Sequence, residues 1–234
     1  MKNIISICMT IIFLCFLAFI LLYIFNWKID SKHTKEVIMQ IKESIGDNNR
    51  KQYTMDLTNL INLNNDTYGY IIVSGTNIDY PFVKTNNNSF YLNHSFDKKY
   101  NDAGWLFMDY RNKDYNDKNI IIYGHDRKDN TLFGTLKNVL QKDWQENNSN
   151  HIITIYTKDS TKYYQVFSTY HIKTEYYYIT TDFSKTNFKT FINTLKKRSN
   201  YNYKIDVKST DHILTLSTCY TPKEKVVLHA ILLN

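Results

Sequence analysis

Two stretches decide the reading of this chain: Asn119-Ile-Ile-Ile-Tyr-Gly-His125 and Ile213-Leu-Thr-Leu-Ser-Thr-Cys219. Each is a short apolar run rich in β-branched residues, the composition of a half-buried or buried strand. Each also ends on a side chain that can do chemistry. Strand ends opening into loops are where catalytic groups reach solvent from a rigid base. Working outward, short runs rich in β-branched and aromatic residues recur at Tyr70–Val73, Trp105–Met108, His151–Tyr156, Lys162–Ser168 and Val226–Ile231. Turn-type clusters such as Asn86–Ser89 and Lys158–Thr161 separate these runs. Two helical stretches interrupt them, about 131–141 (Leu132, Phe133, Leu136, Val139, Leu140) and 184–198 (Phe188, Phe191, Ile192, Leu195). Ahead of Tyr68, residues 30–46 read as an amphipathic helix with Val37, Ile38, Ile41 and Ile45 on one face and Gly46 closing it. A second helical pattern runs through Met55, Leu57, Leu60, Ile61 and Leu63, and the polar stretch 47–52 is the best linker candidate. Many short strands with few helices predict a mainly β fold, a barrel or a sandwich, with helical insertions.

Composition narrows the function classes. A chain of 234 residues is one or at most two domains, and 43% hydrophobic residues with 20 Tyr and 13 Phe supply a real core. Only 6 Gly and 2 Pro occur, and neither a G-x-G-x-x-G nor a Walker-type loop is present, so nucleotide chemistry is unsupported. The formal charge of +7 is carried almost wholly by Lys, with Arg only at Arg50, Arg111, Arg127 and Arg198. Nucleic-acid readers lean on Arg forks, so this balance argues against a nucleic-acid partner. A diffuse positive surface suits an anionic envelope, and it equally suits a Lys- and Asn-rich genome.

Ile4 to Phe25 is uncharged and almost wholly apolar. At about 1.5 Å per residue it spans roughly 33 Å, enough for a hydrocarbon core. No small-x-small cleavage site follows; Tyr23, Phe25, Asn26 and Trp27 stand there instead. The segment therefore reads as an uncleaved signal anchor. Lys28, Lys32 and Lys35 follow it and only Lys2 precedes it, so a bare charge count places the C-terminal part in the cytoplasm.

Cys8 and Cys15 lie inside the anchor and read as apolar filler, which leaves Cys219 without a partner for a disulfide. From position alone Cys219 reads first as a buried, inert thiol. The histidines His33, His94, His125, His151, His171, His212 and His229 show no metal-ligand spacing, so neither metal nor cofactor is expected. His125 and Cys219, each at a strand end, suggest a base and a nucleophile that converge.

The words around those two residues carry more. Leu216-Ser-Thr-Cys219 after an apolar strand, and Tyr123-Gly-His125 before Asn130-Thr-Leu-Phe133, resemble the signature segments of sortases. Asn77-Ile-Asp-Tyr-Pro81, Phe90-Tyr-Leu-Asn93, Leu106–Asn112, Val166–Tyr170 and Tyr178–Phe183 resemble the class B subfamily, and the likeness covers about residues 30–234. It implies an eight-stranded sortase β-barrel (67–234) with a helical extension (28–66), preceded by one transmembrane helix (1–27). It also implies a catalytic domain facing the cell wall, against the bare charge count. The implied activity is transpeptidation. Cys219 would attack the Thr carbonyl of an N/S-P-x-T-like sorting signal near the C-terminus of a secreted protein. His125 would protonate the leaving amine and then deprotonate a peptidoglycan cross-bridge or pilin amine. Asn93, Tyr123, Thr174, Tyr178, Ile179 and Ser217 match the family's substrate groove.

One position departs from the family. Its third catalytic residue is an Arg on the last strand, where this chain has Lys225. Lys keeps the charge but offers a point donor in place of a planar fork. Either Lys225 substitutes, or Arg127 or Arg111 swings in, or activity is poor. Strand alternation puts Lys225, Val227, His229 and Ile231 on one face, with His229 read as structural. The rivals are a cysteine peptidase that releases the acyl group to water and a degenerate sortase that only binds sorting peptides.

Overall fold

Nothing between Lys2 and Ile45 interrupts a helix, for the stretch holds neither Pro nor Gly. The structure is a computed structural model that describes residues 2–45, 50–51, 54–221 and 223–233. In it the anchor and the expected 30–46 helix are one continuous helix, α1 (Lys2–Ile45), roughly 66 Å long. Asn26-Trp27-Lys28 contains no breaker, so the polar boundary between the two segments does not end the helix. The N-terminal part is exposed and is long and apolar enough to cross a membrane. The C-terminal part buries Ser31, Thr34, Val37, Ile41 and Ile45, a stripe at three- to four-residue spacing. The short helix α2 (Thr58–Leu63), with Leu60 buried, packs beside it. Gly46, expected to close the helix, lies outside the described residues, as does most of the expected linker. Its last described part, β1 (Arg50–Lys51), pairs antiparallel with β2 (Thr54–Met55).

The stripe is pinned by polar contacts to two loops. Arg127 donates to the Ser31 hydroxyl at 2.7 Å, and Ser31 donates to Asp129 at 3.0 Å. Asn101 donates to the Asp30 carbonyl at 3.1 Å, and His33 meets Asp97 at 2.9 Å.

The remaining strands are β3 (Thr67–Val73), β4 (Asp79–Val83), β5 (Phe107–Met108), β6 (Asn119–Tyr123), β7 (Ile152–Tyr156), β8 (Thr161–Lys173), β9 (Ile213–Thr221) and β10 (Glu224–Leu232). They close into a barrel in the order β10-β8-β7-β3-β4-β5-β6-β9. Closure removes the exposed edges that an open sheet would carry. β4–β5 and β6–β9 are parallel; the other pairings are antiparallel. Ile120, Ile122, Leu214, Leu216, Val226, Leu228 and Ala230 fill the barrel interior. The alternate residues face outward. There, Ile213 and Val227 join a second apolar cluster with α4 (Phe188–Arg198), whose Phe188, Phe191, Ile192 and Leu195 are buried. Asn187 caps α4 by accepting from the Thr190 backbone N–H at 3.0 Å.

Two elements differ from the sequence reading. β4 was not expected, because Pro81 sits at its centre and Pro lacks a ladder donor. It is accommodated because β4 meets β5 only through Val83, while the Pro81 carbonyl accepts from the Trp105 indole at 2.9 Å. The helix expected at 131–141 is a 3-10 helix over Phe133–Leu140, followed by α3 (Lys142–Glu146). Phe133, Leu136 and Val139 are buried, and a period of three is the spacing that a 3-10 helix aligns on one face.

Trp105 is fully buried and packs on Phe96 with ring centroids 5.4 Å apart. Trp105→Ala should cost about 3–5 kcal/mol in chemical unfolding. A loss below about 1 kcal/mol would show that the barrel wall collapses into the space at little cost.

Candidate active site

The parallel ladder between β6 and β9 sets the site. Its last pair is Tyr123↔Ser217, and two residues further along each strand stand His125 and Cys219. The strand ends stay together because Thr218 donates to the Gly124 carbonyl at 2.8 Å and the Gly124 N–H reaches the Ser217 carbonyl at 3.4 Å. On the other side of β9, Cys219 pairs across the antiparallel ladder with Lys225 of β10. Three adjacent strands thus present a base, a thiol and a cation at one end of the barrel.

All three line a single cavity of about 310 Å³ on the outer face of the barrel. Lys225 Nζ donates to Cys219 Sγ at 3.0 Å, and Cys219 is partly exposed. His125 Nε2–H donates to the Leu92 carbonyl at 2.7 Å. Gly104, at φ +60, lets the chain pass under that histidine. A Cβ there would stand 2.6 Å from the Tyr91 carbonyl oxygen and 2.9 Å from the His125 ring.

Of the residues expected to form a groove, Tyr123, Thr174, Tyr178, Ile179 and Ser217 line the cavity. Asn93 does not. It closes the 3-10 turn Phe90–Leu92, and its backbone pairs with Phe90 and Asn101. Its neighbour Leu92 lines the cavity in its place. Arg111 and Arg127 do not line the cavity and are engaged elsewhere. Arg111 clasps the buried Asp109 with two bonds of 2.9 and 2.6 Å and donates to the Ile179 carbonyl at 3.0 Å. Arg127 is held by Ser31 and Asp129. The sequence reading also missed Phe107, Glu175 and Tyr176, which line the cavity beside the matched positions. Their one signal was adjacency to Thr174 and to the Leu106–Asn112 segment. Among the described residues no three His, Cys, Asp or Glu side chains gather as a cation site.

Two hydrogen-bond networks fix the walls. Asp109 accepts from Arg111 and from the Tyr123 hydroxyl at 2.8 Å. Burial pushes its carboxyl up, but the Arg111 fork, the Arg111 backbone N–H and Tyr123 more than offset this and hold it below the usual carboxylate range. The second network starts at His229, which is fully buried. Tyr170 lies 2.9 Å from its Nε2 and Thr215 lies 2.9 Å from its Nδ1. Because Thr215 donates onward to Asn119 Oδ1 at 2.6 Å, its oxygen accepts from His229 Nδ1–H, and Nε2 accepts from Tyr170. Asn119 then donates to the carbonyls of Thr180 at 2.9 Å and Tyr178 at 3.3 Å. The chain of bonds therefore ends in the segment that roofs the cavity. Tyr178 closes it from above through its hydroxyl, 3.0 Å from Ser217 Oγ.

Burial, and then the nearby Arg198 charge, lower the His229 pKa to about 3. An unfolded chain binds a proton at this residue below about pH 6.5, which the native chain refuses down to about 3. Its contribution to stability is therefore full above pH 6.5 and declines as the pH falls through that window. His229→Gln should lower the melting temperature at pH 7.5 and flatten its decline between pH 6.5 and 4. An unchanged slope would mean that other groups set the acid limit.

A family model described as the sortase domain matches residues 71–232. Sortase B of Listeria monocytogenes is 34% identical over 212 residues, covering 85% of each chain. The crystal structure of Clostridium perfringens sortase B superposes with a TM-score of 0.70 at 32% identity, over 75% of this chain and 98% of that one. The Staphylococcus aureus sortase B–substrate complex gives 0.69 at 35% identity, over 75% and 83%. With the barrel closed as described and the family match spanning β3 to β10, the chain belongs to the sortase family and falls among its class B members.

Proposed function

We propose that this chain is a membrane-anchored cysteine transpeptidase with Cys219 as nucleophile, His125 as proton carrier and Lys225 as the positive donor. The observation that carries the reading is the gathering of these three side chains in one cavity, with Lys225 Nζ 3.0 Å from the sulfur. Attack by Cys219 on the Thr carbonyl of an N/S-P-x-T-like signal, with the S–H proton passing to His125, forms a C–S bond as the carbonyl π bond opens into a transient oxyanion. Lys225, freed from the sulfur as the lone pair is used, has that oxyanion within its reach. The oxyanion then collapses, the C–N bond breaks, and His125 gives its proton to the departing amine. The resulting thioester conserves the acyl energy. A peptidoglycan or pilin amine, losing its proton to His125, displaces the sulfur and restores the enzyme.

Tyr123, Thr174, Tyr178, Ile179 and Ser217 form the donor groove in this reading, with Leu92, Glu175 and Tyr176 at its rim. Asn93 acts through the turn that aims the Leu92 carbonyl at His125. We divide the chain into anchor (1–27), extension (28–66) and catalytic barrel (67–234). The first boundary marks where α1 leaves the membrane, since the helix itself runs through it. The barrel faces the wall, where both reactants lie.

The test is joining of a sorting-type peptide to an added amine, read by mass. Wild type should yield the joined product and Cys219→Ala none; joining by Cys219→Ala would overturn the assignment. Release of the free acid alone, unaffected by amine, would make the chain a peptidase. Lys225→Gln should slow acylation about 10²–10³-fold, as removal of a positioned oxyanion donor does. Lys225→Arg should stay within about tenfold of wild type, and an unaltered rate in Lys225→Gln would remove Lys225 from the mechanism.

A further inference from the structure

His125 lines a second cavity, of about 500 Å³, on its side away from Cys219. The opposite wall of that cavity is the base of the apolar part of α1: Tyr23, Ile24 and Trp27. The near wall is the loop Asp126–Lys128 together with Asp102. Ile24 and Trp27 are 44% and 37% exposed, against 67% for Tyr23 and 60% for Phe25, so α1 turns its Ile24–Trp27 edge toward the barrel. The helix cannot swing away freely. Its next turn is bound to the same two loops through Asp30, Ser31 and His33.

The charge-free apolar run ends at Phe25. If that residue marks the hydrocarbon boundary, the headgroup layer extends roughly 5–7 Å beyond it, which is about four residues of helix. The loop Asp126–Lys128 faces Tyr23–Trp27 across the cavity and reaches Ser31 through Arg127, so it spans the boundary at Phe25 and the layer beyond it. The chemistry of the surface fits. Tyr23 and Trp27 are the aromatic types that settle at a bilayer interface. Lys28 and Lys128 are exposed and offer ammonium groups to lipid phosphates. We infer that the loop Asp126–Lys128 and the base of α1 form a lipid-contact surface that seats the barrel on the phospholipid headgroups of the bilayer crossed by α1, with the outer side of His125 turned to that layer. This rests on the membrane-anchored reading above.

The test uses the full chain in vesicles of phosphatidylcholine and phosphatidylglycerol, on a Cys8→Ser, Cys15→Ser, Cys219→Ala background. A fluorophore is placed at Lys128→Cys, or at Lys208→Cys as the control. Lys208 belongs to the loop that Lys118 grips through the Ser209 and Thr210 carbonyls, at the far end of β6 from His125. Lipid carrying a nitroxide on its headgroup should quench the label at 128 several-fold more than the label at 208. Failure of the vesicles to carry the protein in flotation would overturn the anchor and this inference together. Flotation with equal, weak quenching at both positions would overturn the docking alone. A label at 128 that ignores lipid nitroxide but responds to a soluble amine would assign the cavity to a soluble reactant instead.

Discussion

The register of one parallel strand pair governs this molecule. β6 and β9 are far apart in the chain, yet Tyr123 lies opposite Ser217, and that pairing carries His125 to Cys219. Side chains alternate along a strand, so a slip of one residue would send Ser217 and Cys219 toward the barrel interior and bring Leu216 out. The interior prevents this. Leu214, Leu216, Ile120 and Ile122 are all fully buried, and exposing them would cost several kcal/mol. The barrel core thus fixes the chemistry on its outer surface, and the antiparallel neighbour β10 adds Lys225 by the same logic.

Polar groups complete what the apolar core begins. The outer face of β6, β9 and β10 carries Asn119, Thr215 and His229 beneath α4, each buried and each bonded. An unpaired polar group there would cost about 1–3 kcal/mol, so the network is worth having only when every member is satisfied. Satisfied, it positions a segment with no strand partner of its own, the 178–180 stretch above the cavity. Arg198 extends the support on the opposite side, where it pairs with Glu175 at 2.6 Å and covers Tyr177. Arg111 does the same from below through Asp109 and the Ile179 carbonyl. Arg111 and Arg198 are thereby committed to the walls of the cavity, and among the described residues it is Lys225 whose ammonium faces the Cys219 sulfur.

Much of this was legible in the sequence. Short runs rich in β-branched and aromatic residues reveal seven barrel strands, because each strand must help fill the interior. His229 reads as structural although it shares a face of β10 with Lys225, and the fold buries it completely. Less legible were features set by tertiary contact. Pro81 hid β4, since the weak β4–β5 pairing that tolerates it is invisible in one dimension. The change of polarity after Phe25 looked like an element boundary, although helix continuity depends on the absence of breakers rather than on hydropathy. The period-three spacing of Phe133, Leu136 and Val139 passes for an ordinary helix in one dimension, and the fold resolves it as a 3-10 helix. Leu92 contributes a backbone carbonyl to His125, and no side-chain motif encodes a carbonyl's direction. The engagement of Arg111 and Arg127 also needed coordinates, because their partners Asp109, Ile179 and Ser31 come from separate parts of the chain.

The most direct measurement is the intact mass of the full chain after incubation with sorting-type peptides in the absence of added amine. The account predicts a mass increase equal to the N-terminal peptide fragment, located on Cys219 and discharged when an amine is supplied. Peptide cleavage with the protein mass unchanged throughout, and with Cys219→Ala cleaving equally well, would contradict it.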